Sequence, residues 1–283
     1  MGPTKMIGTQ RRPYTVSFFG IEALAPSHLG PADLRAWLMA PIAGEPLYRR
    51  LLEPLVGVNV ARIRTTTGGV GRALAALVEE RPVFGLGDAF GADMKQATGE
   101  LLLPGSGLIS LDVSALIARA EAERLPYVVR AKRTLHRSRG NSIFVRPANC
   151  QRGAFTSAPA QLEESFKFSP TGSVKTLLAS SKSALMRRLP GLEPAGVWRR
   201  GVLLGARATV KATVPEAARA AVGAGSRVEM NVLLGEGAIV GEGCLVGEGA
   251  HVEDSILLDG AWVRSGEMLC GAVRSASGLT LYR

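Results

Sequence analysis

A dense group of basic side chains between residues 130 and 139 could bind phosphate groups or RNA. Its members are Arg130, Lys132, Arg133, Arg137 and Arg139, with His136 between them. The segment contains no interleaved aromatic residues on which bases could stack. A solvated loop is the commoner explanation of such a cluster, and we do not expect nucleic acid to be a partner.

The three cysteines, Cys150, Cys244 and Cys270, show no metal-ligand spacing. An odd number of unpaired thiols fits a reducing compartment, so we expect the protein to be cytoplasmic. No apolar run approaches the roughly 18 residues of a membrane span, and we expect neither a signal peptide nor a membrane partner.

Net charge divides the chain into two unlike parts. Residues 1–200 carry 27 basic against 15 acidic side chains, whereas residues 201–283 carry 7 against 9. With 46% apolar residues and 20% charged residues over 283 positions, the sequence has ample material for folded cores. A basic part joined to a near-neutral part indicates one of three anionic partners: nucleic acid, an anionic membrane surface or a phosphorylated ligand.

The near-neutral part contains a six-residue repeat that starts at Leu204. Nine of its ten register positions are aliphatic, and Glu216 is the exception. The aliphatic positions are Leu204, Val210, Val222, Val228, Leu234, Val240, Val246, Val252 and Leu258. Hexapeptide repeats are typical of a left-handed parallel β-helix, in which the aliphatic residue points inward. We therefore expect slightly more than three coils, with Cys244 buried at a corner and the strand-like segment Leu279 to Tyr282 closing one end.

The pattern of the basic part predicts an α/β domain. Segments rich in β-branched or aromatic residues alternate with segments of helical spacing, the last of which has Asp112 placed to cap it. The predicted strands include Tyr14 to Phe19 and Val83 to Leu86. This alternation predicts a mostly parallel three-layer sheet domain over residues 1–195, followed by the β-helix over residues 196–283.

This organisation resembles the nucleoside-diphosphate-sugar pyrophosphorylases, which are sugar-1-phosphate nucleotidyltransferases with a C-terminal β-helix. The segment 232–263 looks much like the end of the β-helix in that family. Residues 40–55 (APIAGEPLYRRLLEPL) resemble the segment that opens the family's second helix, and residues 101–121 (LLLPGSGLISLDVSALIARAE) resemble the strand and helix that carry its metal-binding aspartate.

The family's catalytic motifs are degenerate in this chain. An ungapped alignment places the family's Gly-x-Gly-Thr-Arg loop on residues 23–27 (ALAPS), so Ser27 stands in place of the arginine. The family's lysine falls on Trp37 and its Mg²⁺-binding aspartate on Ser106. Because triphosphate binding and phosphoryl transfer need those charges, the resemblance implies an inactive relative.

A second alignment retains candidate residues for metal binding and for nucleotide binding. In it, Gly87-Asp88 is the family's metal site, with Asp88 as the Mg²⁺ ligand, and the glycines Gly68, Gly69 and Gly71 bind the nucleotide. The structural alternatives are a strand-to-helix turn at the glycines and a solvent-facing turn at Asp88, because an isolated glycine-rich turn is a weak signal.

Three functions follow from these patterns. The first is a nucleotidyltransferase-like protein that has lost catalysis and serves as a binding, regulatory or scaffolding subunit, with a nucleotide or sugar phosphate as a possible ligand. The second is an active enzyme that joins a nucleoside triphosphate to a sugar 1-phosphate, with Mg²⁺ as cofactor and Arg35 as the nearest cation. The third is a hexapeptide acyltransferase with His251 as general base. An isolated histidine in a turn is, however, more often a surface residue with no catalytic role. Each implies a homo- or hetero-oligomer assembled through the β-helix.

Overall fold

The computed structural model describes residues 13–65, 68–90, 99–131, 142–147, 160–189, 192, 194–216 and 218–283. It is a mixed α/β structure with several sheets, mostly parallel strand pairs and few helices. The helices are α1 (Pro31–Leu38), α2 (Leu47–Leu52), α3 (Gly69–Glu80), α4 (Val113–Glu123) and α5 (Val174–Leu185). Single 3-10 turns lie at Ile21–Leu24, Glu53–Leu55 and Gly87–Ala89.

Nine strands lie in the described α/β half. They are β1 (Tyr14–Phe19), β2 (Pro41–Ile42), β3 (Glu45–Pro46), β4 (Val60–Arg64), β5 (Gly99–Pro104), β6 (Gly107–Ser110), β7 (Tyr127–Ala131), β8 (Ser142–Arg146) and β9 (Ala160–Pro170). Seven of them form one sheet in the order β4-β1-β5-β8-β7-β9-β6, in which β8 and β6 run against the other five. Alternate residues of β1 face the core, since Tyr14, Val16 and Phe18 are buried.

Most predicted elements of this half are present, and one is wrong. The Asp112 side chain accepts the N–H of Ala115 at 2.9 Å and caps α4, as its position predicts. Val83 to Leu86 is a turn rather than a strand, because Phe84 and Gly85 both have positive φ angles and the Leu86 N–H donates to the Val83 carbonyl. A helical layer on each face of the sheet stays a prediction.

The remaining strands are short and form three parallel stacks with flanking strands. They are β10 (Val197–Arg199), β11 (Val202–Leu204), β12 (Thr209–Val210), β13 (Ala220–Val222), β14 (Arg227–Val228), β15 (Leu233–Leu234), β16 (Ala238–Val240), β17 (Leu245–Val246), β18 (His251–Glu253), β19 (Ser255–Leu257), β20 (Trp262–Val263), β21 (Met268–Cys270), β22 (Ala272–Arg274) and β23 (Thr280–Tyr282). Coil sheet 1 contains β11, β13, β16, β19 and β22, coil sheet 2 contains β12, β14, β17 and β20, and coil sheet 3 contains β15, β18 and β21. The chain passes through these sheets in rotation.

The stacking distance along the sequence explains the six-residue repeat. Strand partners lie 18 residues apart in the first coils, as with Val222 and Val240, and 17 residues apart later, as with Val240 and Leu257. The predicted aliphatic positions up to Val252 therefore point inward, but Leu257 rather than the predicted Leu258 takes the next inward place. Leu258 packs instead in the larger apolar core that includes the α/β half.

Antiparallel strands cover both ends of coil sheet 1. β10 pairs with β11 at one end, and β23 pairs with β22 at the other, which confirms the predicted closing strand. β10 and β23 are therefore the edge strands of this sheet, and each is only three residues long, which limits pairing with other chains. Cys244 is buried in the coil, as predicted.

The outer face of coil sheet 1 is part of the main core. Its outward residues Leu203, Ala221, Ile239, Ile256 and Val273 are buried in the same apolar cluster as the α/β half. Alternation along these strands therefore buries both faces, one inside the coil and one against the α/β half. The domain boundary after residue 195 stays a prediction.

Candidate functional site

The carboxyl ends of three parallel strands meet at one edge of the seven-stranded sheet. β1 pairs in parallel with β4 on one side and with β5 on the other, so the segments that follow them lie side by side. These segments are the 3-10 turn Ile21–Leu24, the N-terminus of α3, and Gly105-Ser106. Because ligands of parallel sheets bind beyond this edge, it is the first place to look for a site.

The carboxylate of Glu22 binds the N-terminus of α3 at this edge. The Val70 N–H donates to Glu22 Oε2 at 3.2 Å, and the Gly71 N–H donates to Glu22 Oε1 at 3.2 Å. The first N–H groups of a helix have no partner within the helix and lie at its positive end. Glu22 therefore places a negative charge at the positive end of α3.

The glycine-rich segment is shaped to receive this carboxylate. A Cβ atom on Gly68 would lie 2.3 Å from the carboxylate carbon of Glu22, so only glycine leaves room for the contact. Gly69 begins α3 and is exposed, whereas Gly71 is buried and donates to Glu22. Gly68, Gly69 and Gly71 thus lie at a helix N-terminus, but a phosphate could use the bonded N–H groups only after displacing Glu22.

Asp88 lies in a separate turn from these glycines. It is an exposed residue of the 3-10 turn Gly87–Ala89, and Phe90, two residues later, pairs in parallel with Ile63 of β4. Gly68 and Gly71 follow the carboxyl end of β4. A metal and nucleotide site shared by Asp88 and these glycines stays a prediction.

The residues at two other aligned positions, and the candidate cation Arg35, make contacts within the fold. Trp37 is 1% exposed, and its Nε1–H donates to the Leu24 carbonyl at 3.1 Å. The backbone carbonyl of Ser106 accepts the Thr171 N–H at 3.3 Å. Arg35 forms a salt bridge with Glu80, and this hydrogen bond holds the pKa of the Glu80 carboxyl below its usual range.

A cleft of about 630 Å³ lies where the α/β half meets the coil. Its walls are the β2–β3 hairpin, the segment leading into β10, and the first coil corners. The charged side chains lining it are Glu45, Arg199, Arg207, Glu242 and Asp259. Cations and carboxylates therefore share the cleft, so its chemistry does not single out an anion or a cation.

The repeat changes at this cleft beside Asp259. The corner positions Gly205, Gly223 and Gly241 are glycines, but the 17-residue offset places Leu258 next in that stack. The carboxylate of Asp259, the next residue, accepts the Glu242 N–H at 2.8 Å. Burial raises the pKa of Asp259 above its usual value. The sequence signal near this position is the aspartate that follows the last aliphatic residue of the repeat, Leu258, where a glycine and a glutamate stand at residues 241 and 242 of the preceding coil.

The remaining predicted positions divide between described and undescribed residues. Arg130 belongs to β7, but its side chain, the rest of the basic group at 132–139, and Cys150 lie outside the described residues. His251 lies in β18, half-buried, with its Nε2 3.4 Å from Glu253 Oε2. No helix among the described residues is both long enough and apolar enough to cross a membrane.

Comparison with known proteins assigns no family to this chain. A scan against protein-family models finds no match, and a search of curated proteins finds no significant match. The chemistry of the site must therefore be argued from its own residues.

Proposed function

We propose that the chain is a sugar-1-phosphate nucleotidyltransferase-like protein that has lost phosphoryl transfer and acts as a binding, regulatory or scaffolding subunit. The observation that carries this proposal is the contact between Glu22 and the N-terminus of α3. A helix N-terminus attracts anions through its outward N–H groups and its dipole. An intramolecular carboxylate already uses two of those groups, and its charge opposes an approaching phosphate.

The residues at the aligned catalytic positions support the same proposal. Trp37 is buried and carries no charge, and Ser106 offers a neutral hydroxyl where a metal-binding carboxylate would be needed. Arg35, the nearest candidate cation, is paired with Glu80.

We interpret the coil as a left-handed parallel β-helix whose role is assembly. The rotation of the chain through three parallel sheets at 17- or 18-residue intervals supports this interpretation. Coil sheet 1 is covered by the α/β half, whereas Leu245 and Trp262, direct partners on coil sheet 2, are 48% and 43% exposed. Adjacent exposed apolar side chains are typical of contact surfaces, so coil sheet 2 is the face through which we expect a subunit to dock.

The test is an assay of pyrophosphate release with several nucleoside triphosphates, sugar 1-phosphates and Mg²⁺. We expect no release above the protein-free background. Turnover that is abolished by Asp88→Ala but kept in Glu79→Ala, a nearby exposed carboxylate, would establish the active enzyme and overturn the proposal.

Thermal-shift screening separates the three functions. Protection by a nucleotide without turnover supports a binding subunit, and protection by neither ligand supports a scaffolding subunit. Protection by a coenzyme A derivative, removed in His251→Ala, would point to the acyltransferase instead.

A further inference from the structure

Three side chains with metal-binding atoms lie together on the outer face of coil sheet 3. They are His251 and Glu253 of β18 and Cys270 of β21, and their nitrogen, oxygen and sulfur atoms all lie within 4.8 Å of one another. Glu253 and Cys270 are direct partners in the parallel ladder. His251 lies two residues before Glu253, so both side chains leave the same face of the strand.

The repeat departs from its own pattern at two of these positions. A glycine follows five of the seven aliphatic register positions before Val252, as Gly235 follows Leu234. Glu253 and Cys270 take that place after Val252 and Leu269. A Cβ atom on Gly235 would lie 2.8 Å from Glu253 Cγ, so the glycine of the preceding coil leaves the space that the Glu253 side chain occupies.

The donor types suit zinc, and so does the distance between the His251 and Glu253 side chains. Tetrahedral zinc binds nitrogen and oxygen at about 2.0–2.2 Å and sulfur at about 2.3 Å, which places neighbouring ligand atoms roughly 3.4–3.6 Å apart. His251 Nε2 and Glu253 Oε2 are already 3.4 Å apart. A mixed set of imidazole, carboxylate and thiolate favours a borderline metal over the hard cations Mg²⁺ and Ca²⁺, which prefer oxygen ligands alone.

We propose that His251, Glu253 and Cys270 bind a Zn²⁺ ion, with solvent in the fourth position. His251 and Cys270 are on successive coils, so the ion ties β18 to β21 near the end of the coil. The neighbouring carboxylate of Asp254 is paired with Arg283 and is not needed as a ligand. The site is independent of nucleotide chemistry, and an occupied His251 is unavailable as a general base.

The test is a titration of tag-free, full-length protein with Zn²⁺ in competition with a chromophoric chelator. We expect Cys270→Ser and His251→Ala to weaken binding at least about 100-fold, more than the 10- to 100-fold loss that second-shell changes cause. Cys150→Ser, which removes a different thiol, is the matched control and should bind as the unsubstituted protein does. Equal affinity in Cys270→Ser and the unsubstituted protein, or no Zn²⁺ binding at all, would overturn the proposal.

Two further measurements separate ligand loss from misfolding. Co²⁺ should give a thiolate-to-metal charge-transfer band that Cys270→Ser lacks and Cys150→Ser keeps. Zn²⁺ should raise the Tm of the unsubstituted protein but not of Cys270→Ser, while the two metal-free proteins melt alike because Cys270 is exposed. A cobalt complex without the charge-transfer band would exclude Cys270 as a ligand.

Discussion

Replacing Glu22 with alanine removes the carboxylate that binds the N-terminus of α3. The variant loses two charge-assisted hydrogen bonds and a favourable interaction with the helix dipole. Because Glu22 is exposed, water can solvate the freed N–H groups, which keeps the cost near that of losing a helix cap. We expect the free energy of unfolding to fall by about 1–2 kcal/mol.

Gly68→Ala should cost a similar amount for a linked reason. Gly68 has ordinary extended angles, φ −71° and ψ 177°, so alanine brings no backbone strain there. Its Cβ atom would instead force the flexible Glu22 side chain away and break the same two bonds. In a Glu22→Ala background the Glu22 carboxylate that this Cβ atom would displace is absent. Gly68→Ala should then stabilise the protein by about 0.4–1 kcal/mol, because alanine lowers the conformational entropy of the unfolded chain.

A double-mutant cycle by urea unfolding measures this coupling. We expect an interaction free energy of about 1.4–3 kcal/mol between Glu22 and Gly68, the difference between the cost of Gly68→Ala with Glu22 present and its gain without Glu22. Gly69→Ala is the matched control, because a Cβ atom there meets only Leu34 at 3.9 Å and should act equally in both backgrounds. Coupling below about 0.5 kcal/mol would refute the contact on which the proposed function depends.

Three other results follow from single side chains. Arg50 is buried, and its guanidinium group donates to the carbonyls of Ile42 and Ala43. Arg50→Met should therefore lower the free energy of unfolding by about 2–3 kcal/mol. An unchanged urea midpoint would contradict these contacts. Burial raises the pKa of Cys244 to about 12. In metal-free native protein a thiol reagent should therefore modify the exposed Cys270 and spare Cys244, which peptide mass spectrometry would detect. Equally fast labelling of both cysteines would contradict this. Burial also raises the pKa of Asp259 above its ordinary value of 3.8. Its stabilising contribution is therefore present below that value and is lost as pH rises through the folded value. Asp259→Asn should gain stability relative to the unsubstituted protein as pH rises above 3.8 in urea titrations, and a constant difference would contradict this.

Local patterns were sufficient to predict much of the fold. The inward aliphatic residues, the buried Cys244 and the cap at Asp112 each depend on neighbours a few residues away or on a short repeat. The repeat fails as a guide at Glu216 and where its stacking offset shortens from 18 to 17 residues, which puts Leu257 in the place predicted for Leu258. The short apolar run from Val83 could not be separated from a turn by its composition alone.

The candidate site was less predictable because its contacts join distant residues. Glu22 and Gly68 are 46 positions apart, and neither position in isolation indicates the other. The glycines do lie where a phosphate-binding turn is expected, but the sequence does not reveal that an internal carboxylate already binds there. Likewise, Cys270 meets His251 only because the 17-residue stacking offset brings β21 beside β18.

The most direct test of lost phosphate binding is an equilibrium titration of a nucleoside triphosphate into the unsubstituted protein and into Glu22→Ala. Glu79→Ala is the control, since it removes the same charge from an exposed position near the far end of α3. The account predicts that Glu22→Ala binds the triphosphate more tightly by at least about 5-fold, while Glu79→Ala changes the affinity little, because only Glu22 occupies the helix N-terminus. Equal affinities in all three proteins, or weaker binding in Glu22→Ala, would contradict the claim that Glu22 stands in place of a phosphate.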